Sequence, residues 1–173
     1  MQGLTEVALA DNNITDLSPL SQLTALARIE IHHNAVGDLS PLAGLTSLTD
    51  LDLRVNNISD LTPLAGLTAL AVLQLNSNGI SDLTPLSGLA SLTSLALGSN
   101  SVSDLTPLSG VTSLEHLAID NNNVSNLGPL VDNTGLGEGD HVFVLGNPID
   151  CTDQAENIQA LRDRGVDLLV GCP

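Results

Sequence analysis

Three groups of side chains in this chain have the types and spacing for chemistry. The first is a histidine pair, His116 and His141, with Asp120 close by. If both imidazoles stand at one face on adjacent strands, about 4.8 Å apart, they could bridge a metal ion. A third firm ligand is absent from the pattern, so the simpler reading is two exposed polar residues, and no metal site is assigned. The second group is Cys151 and Cys172. They could form a disulfide, stay as two thiols or contribute to a metal pair. An even count enclosing one substructure favours the disulfide, and with it an oxidising compartment. The third is a run of charged residues comprising Arg28, Glu30, His32, His33, Asp50, Asp52 and Arg54. Such residues bind a ligand by ion pairing and hydrogen bonding. No phosphate-binding glycine loop, nucleophile elbow or zinc-spaced cluster accompanies them. Catalytic residues and cofactors are therefore assigned to none.

The elements that position these groups come from a repeat. Leu26, Leu48, Leu70, Leu92 and Leu114 recur every 22 residues, and Asp-Leu-Ser/Thr-Pro-Leu recurs from Asp16, Asp38, Asp60, Asp82 and Asp104. A sixth copy has decayed to Asn126-Leu127-Gly128-Pro129-Leu130. A fixed period of this size marks a solenoid, and Leu-x-x-Leu-x-Leu-x-x-Asn marks a leucine-rich repeat.

Within a repeat, positions 1, 4, 6, 11, 14, 17 and 20 are apolar; in the third these are Leu48, Leu51, Leu53, Ile58, Leu61, Leu64 and Leu67. The alternation around positions 4 and 6 predicts a short strand with one buried face, and successive strands should form a parallel sheet. Position 9 is always Asn, from Asn12 to Asn122 and again at Asn147. An amide both donates and accepts, so each should satisfy backbone groups where the strand turns away. The Asp at position 13 should cap a proline-containing turn too short for an α-helix, hence a 3₁₀ turn. Gly44, Gly66, Gly88 and Gly110 should then release the chain towards the next strand. One repeat buries too little to stand alone, so neighbours must stack.

The expected fold is an α/β solenoid: a right-handed leucine-rich repeat superhelix with a concave parallel β-sheet and 3₁₀ turns on the convex side. Residues 1–173 form one domain, with six repeats and a short insertion over 4–138 and a seventh coil and C-terminal cap over 139–173. In the cap, Asp153-x-x-Glu156 reads as a capping box opening a helix near Gln154 to Arg164. Gly165 ends that helix, and Val166, Leu168 and Val170 alternate as a closing strand. The N-terminal end has no equivalent cap. Leu9, Ile14, Leu17 and Leu20 should be exposed at the edge of the first coil, a surface for self-association. Met1-Gln2-Gly3 reads as neither signal peptide nor cap, which suggests a piece of a longer protein.

Composition narrows the partners. The net charge is −16, with 20 acidic residues against four arginines and no lysine. Nucleic acid and anionic membranes are bound through clustered Lys and Arg, so neither is expected, and no apolar run is long enough for membrane insertion. One Phe and no Tyr or Trp leave few of the usual interface anchors.

The 22-residue period, the Asn at position 9 and Asp-Leu-Thr-Pro-Leu together resemble the internalins and related bacterial leucine-rich repeat proteins. The likeness covers Leu4 to Leu130, and the tail from Gly139 is similar to C-terminal caps of bacterial repeat proteins. The resemblance implies a non-catalytic module, secreted or at the cell surface, binding a protein or glycan ligand on its concave sheet. The alternative is a structural unit stacking end to end through its first coil. Variable positions 3, 5, 7, 8 and 10 face the ligand in the first reading. They are bland in repeats four and five and charged in repeats two and three, where Glu30, Asp52 and Arg54 should all point away from the core.

Overall fold

The computed structural model describes residues 3–172. Eight strands, β1 (Glu6–Ala8), β2 (Arg28–Glu30), β3 (Asp50–Asp52), β4 (Val72–Gln74), β5 (Ser94–Ala96), β6 (His116–Ala118), β7 (His141–Phe143) and β8 (Asp167–Leu169), form one sheet in sequence order. Every pairing is parallel. Equivalent positions stand opposite each other, as in Ile29↔Leu51↔Leu73↔Leu95↔Leu117. The register advances 22 residues per coil until β6, where Ala118 meets Phe143 across the three-residue insertion.

Opposite the sheet, five 3₁₀ turns follow the Asp-Leu-Ser/Thr-Pro-Leu copies, from Ser18–Leu20 to Thr106–Leu108. The Asp acts one position further out than a helix N-cap: Oδ1 of Asp60 accepts the Thr62 N–H at 2.8 Å, and Asp16, Asp38, Asp82 and Asp104 do the same. In the sixth copy Asn126 accepts from Gly128 N–H, and the turn lengthens into α1 (Gly128–Asp132). The core lies between sheet and turns. In coils two to five the seven apolar positions are buried, Leu48, Leu53, Ile58, Leu64 and Leu67 completely.

The asparagines fasten each coil to the one before it. Asn56 accepts from Val36 N–H at 2.9 Å and donates to Ile31 O at 3.0 Å and Leu53 O at 3.1 Å. Buried backbone groups must find partners, and with a longer bond to Arg54 O at 3.3 Å one side chain serves four of them where the strand ends. The side chain of Asn12, in the first coil, bonds only to its own coil, at Leu9 O and Ala10 O.

Several expectations need correcting. Gly44, Gly66, Gly88 and Gly110, expected to release the chain towards the next strand, do so without any conformation special to glycine: φ is not positive, and a Cβ there would meet nothing within 4 Å. The chain leaves each turn through right-handed three-residue bonds such as Leu45 N–H to Leu42 O and Leu48 N–H to Leu45 O. The left-handed residue is position 8, before the Asn: Asp11, His33, Val55, Ser77, Ser99 and Asn121, then Gly146. Val55 at φ 54° is the costly one, since a β-branched side chain crowds that region.

The Asp153–Glu156 capping box is not formed. Asp150 instead accepts from Thr152 and Asp153 N–H, and α2 (Ala155–Asp163) starts after Gln154. The Gln154 side chain accepts the Leu127 N–H at 2.9 Å, tying the cap to the sixth coil. Gly165 does end the helix, at φ 86°, and β8 closes the sheet with Val166, Leu168 and Val170 buried. Cys151 and Cys172 are joined by a disulfide across this cap. At the other end Leu17 and Leu20 are buried rather than exposed, because the turn of the second coil packs beside their own. Leu9 and Ile14 are half-buried, and Leu4 is the exposed leucine, at 42%.

Candidate functional site

Side chains at positions 3, 5 and 7 leave the sheet on the side away from the core, so three rows cross the concave face. Row 5 reads Ala8, Glu30, Asp52, Gln74, Ala96, Ala118, Phe143, Leu169. Row 3 reads Glu6, Arg28, Asp50, Val72, Ser94, His116, His141, Asp167.

The charged residues of coils two and three meet at a depression over β2, β3 and β4. Arg28, Glu30, Asp50 and Asp52 line it with Val72 and Gln74, and Ile29 and Leu51 lie at its floor. Arg28 reaches Asp50 across the strands at 3.7 Å. Both are partly exposed, so the pair contributes at most about 1 kcal/mol.

Asp52 is the fixed point of the cluster and only 9% exposed, not the outlying carboxylate expected from its position. The cause is cover from two sides. Arg54 donates Nε to Oδ1 at 2.9 Å and Nη2 to Oδ2 at 2.6 Å, and its backbone N–H reaches Oδ1 at 3.1 Å. His32 of the neighbouring coil places Nδ1 3.0 Å from Oδ2, though without the alignment of a hydrogen bond. Burial works against the ionised form, but the bonds from the Arg54 side chain and backbone, with the charges of Arg54 and His32, outweigh it. The Asp52 carboxyl is held below the usual carboxylate range.

Glu30 stands opposite Asp52 in register, like charge beside like charge. It is half-buried, and among the described residues it has neither an ion pair nor a side-chain hydrogen bond. His33 is not part of the depression: as a left-handed turn residue it faces Asp11 of the previous coil, 3.5 Å away. Val72 and Gln74, passed over in the sequence as bland, form the depression's far wall.

At the other end of the sheet His116 and His141 stack at 5.1 Å with ring planes 9° apart, and His141 stacks on Phe143 at 6.3 Å. Asp120 does not converge on them, because its Oδ1 accepts the Leu145 N–H at 2.8 Å. His141 Nδ1 instead lies 3.0 Å from Asp167. Phe143 drew no attention in the sequence, although its place between the buried Val142 and Val144 puts it on the outer face.

One parallel strand per 22-residue coil, an asparagine ladder and opposing 3₁₀ turns define a leucine-rich repeat protein, a fold that commonly serves as a protein-binding module. The family model for leucine-rich repeats in two copies matches residues 46–88, and no curated protein matches the sequence. Among solved structures, internalin C2 from Listeria monocytogenes is 37% identical, with a TM-score of 0.87 over 98% of this chain and 72% of its own. Internalin F from the same organism is 30% identical, with a TM-score of 0.79 over 98% of this chain and 56% of its own. The chain belongs to the internalin-like bacterial leucine-rich repeat family. A plant peptide hormone receptor solved in complex with RGF2 shares the fold at 22% identity, with a TM-score of 0.78 over 98% of this chain and 28% of its own.

Proposed function

We propose that this chain is a non-catalytic binding module that acts outside the cell and takes a protein or glycan ligand on its concave sheet, at the depression over β2, β3 and β4. One observation carries this reading. Asp50 and Asp52 are each neutralised by an arginine in close contact, whereas Glu30 in the same depression has, among the described residues, no ion pair or side-chain hydrogen bond and feels only the more distant charge of Arg54. A carboxylate without a hydrogen bond keeps its full accepting capacity, which a cation or donor from a ligand would use. The other concave positions of β2 and β3 form the rim: Arg28 and Asp50 offer a fork and a carboxylate, and Asp52, Arg54 and His32 hold one another in place. The disulfide and the internalin family support an extracellular setting. Among the described residues no helix is long and apolar enough to cross a membrane.

A printed array of purified proteins and glycans tests the reading. A ligand retained by the parent should lose at least tenfold in affinity with Glu30→Arg, while circular dichroism stays unchanged. Equal affinity of parent and variant would place the site elsewhere.

A further inference from the structure

Row 5 changes character along its length. Glu30, Asp52 and Gln74 are acidic or polar, Ala96 and Ala118 are small, and Phe143 and Leu169 are large and apolar. Leu169 is 46% exposed, and Leu145, in the next row beside Phe143, is also exposed. Phe143 is the chain's only aromatic residue of the Phe, Trp and Tyr set. Among the described residues exposed large apolar side chains are few, and two of the four lie at this one end of the concave face. Between the poles nothing large stands in row 5: Ala96 and Ala118, with Ser94 and Gly98 beside Ala96, leave the backbone open to close approach, while His116 stands to one side in row 3.

Resting on the binding reading above, we infer that the ligand is a polypeptide segment, lying extended across the strands with a Lys or Arg over Glu30 and an aliphatic or aromatic side chain against Phe143 and Leu169. Charge complementarity selects the first contact, since the face around Glu30 holds carboxylates and only two arginines, both already paired. Apolar area selects the second. A polypeptide supplies a cation and an apolar side chain on one backbone, whereas a neutral glycan supplies neither. The distance between the poles sets the spacing. From β2 to β7 there are five strand intervals, about 24 Å at ~4.8 Å each, or about seven residues of extended chain at ~3.3 Å per residue. Ala96 and Ala118, the small row-5 residues of β5 and β6, let that chain run flat between its two anchors.

The test is a set of soluble Gly/Ser peptides, each with one Arg and one Leu at separations from two to ten positions, titrated to millimolar concentration into isotope-labelled protein. NMR shifts should move at Glu30 and Gln74 and at Phe143 and Leu169 with the same peptide. Affinity should peak near a separation of seven, about tenfold above the shortest spacings, because the second contact becomes intramolecular. Glu30→Gln should remove the dependence on Arg, and Leu169→Ser the dependence on Leu. Leu169 is exposed, so its loss should leave the fold intact. Absence of binding, affinity indifferent to separation, or shifts confined to one pole would overturn the inference. An array ligand that depends on Glu30 while these peptides fail would keep the binding module and discard only the extended polypeptide.

Discussion

Arg54 holds Asp52 through two side-by-side bonds, Nε to Oδ1 at 2.9 Å and Nη2 to Oδ2 at 2.6 Å. Two-pronged contacts of this kind are the stronger form of ion pair, and this one sits beneath the imidazole of His32. It sets the shape of the depression in which Glu30 is left alone.

Asp52→Asn should therefore destabilise the fold by about 2 kcal/mol at neutral pH, the usual worth of hydrogen bonds to a charged group. The carboxyl is depressed in the folded state, so its contribution is present above the unfolded value of about 3.9 and is lost as pH falls below it. Urea midpoints of parent and variant should differ at pH 7 and converge towards pH 2. A gap that stays constant down to pH 2 would show that charge is not what Asp52 contributes.

The five turn aspartates follow the same sign. Bonds from the backbone and side chain of Ser18, Ser40, Thr62, Thr84 and Thr106 hold Asp16, Asp38, Asp60, Asp82 and Asp104 below the usual range. Stability should fall as pH drops through and below about 4. Asn keeps the acceptor without the titration, as Asn126 does in the sixth coil. Replacing Asp38, Asp60 and Asp82 together by Asn should flatten the acid limb of melting temperature against pH, and an unchanged limb would contradict it.

Asn56→Ala removes four hydrogen bonds at a site 9% exposed. The stranded backbone groups cost about 1–3 kcal/mol each when water cannot replace the partner, so a total loss of about 3 kcal/mol or more is expected from chemical denaturation. Asn12→Ala should cost clearly less, because Asn12 joins no earlier coil and is exposed. Equal costs would mean that stitching between coils is not the role of the ladder.

Val55→Asn should stabilise the protein by about 1 kcal/mol. The backbone at φ 54° tolerates Asn better than a β-branched residue, and the Val55 side chain is 41% exposed, so little packing is given up. Calorimetry decides between this and a melting temperature that falls.

What could be read from residues alone was whatever recurs within one coil. Burial of Leu48, Leu51 and Leu53, the turn bond from Asp60 and the place of Asn56 each follow from chemistry confined to a coil and its immediate neighbour. Twenty-two residues of period repeat that chemistry until it cannot be missed. The Cys151–Cys172 bond was accessible for a similar reason, as one pair flanking one substructure. The cap was harder: Asp153 and Glu156 have the spacing of a capping box, but Gln154 reaches Leu127 in the sixth coil instead, a partner 27 residues away. The concave face depended wholly on tertiary structure. Whether Asp52 is free or gripped is decided by the rotamer of Arg54 and by His32 arriving from the preceding coil. Whether Phe143 is a spacer or an anchor is decided by Leu169, which β8 brings into register beside it from beyond α2. Repetition encodes the inward face because every coil must solve the same packing problem; the outward face varies from coil to coil, so its contacts exist only once the strands lie side by side.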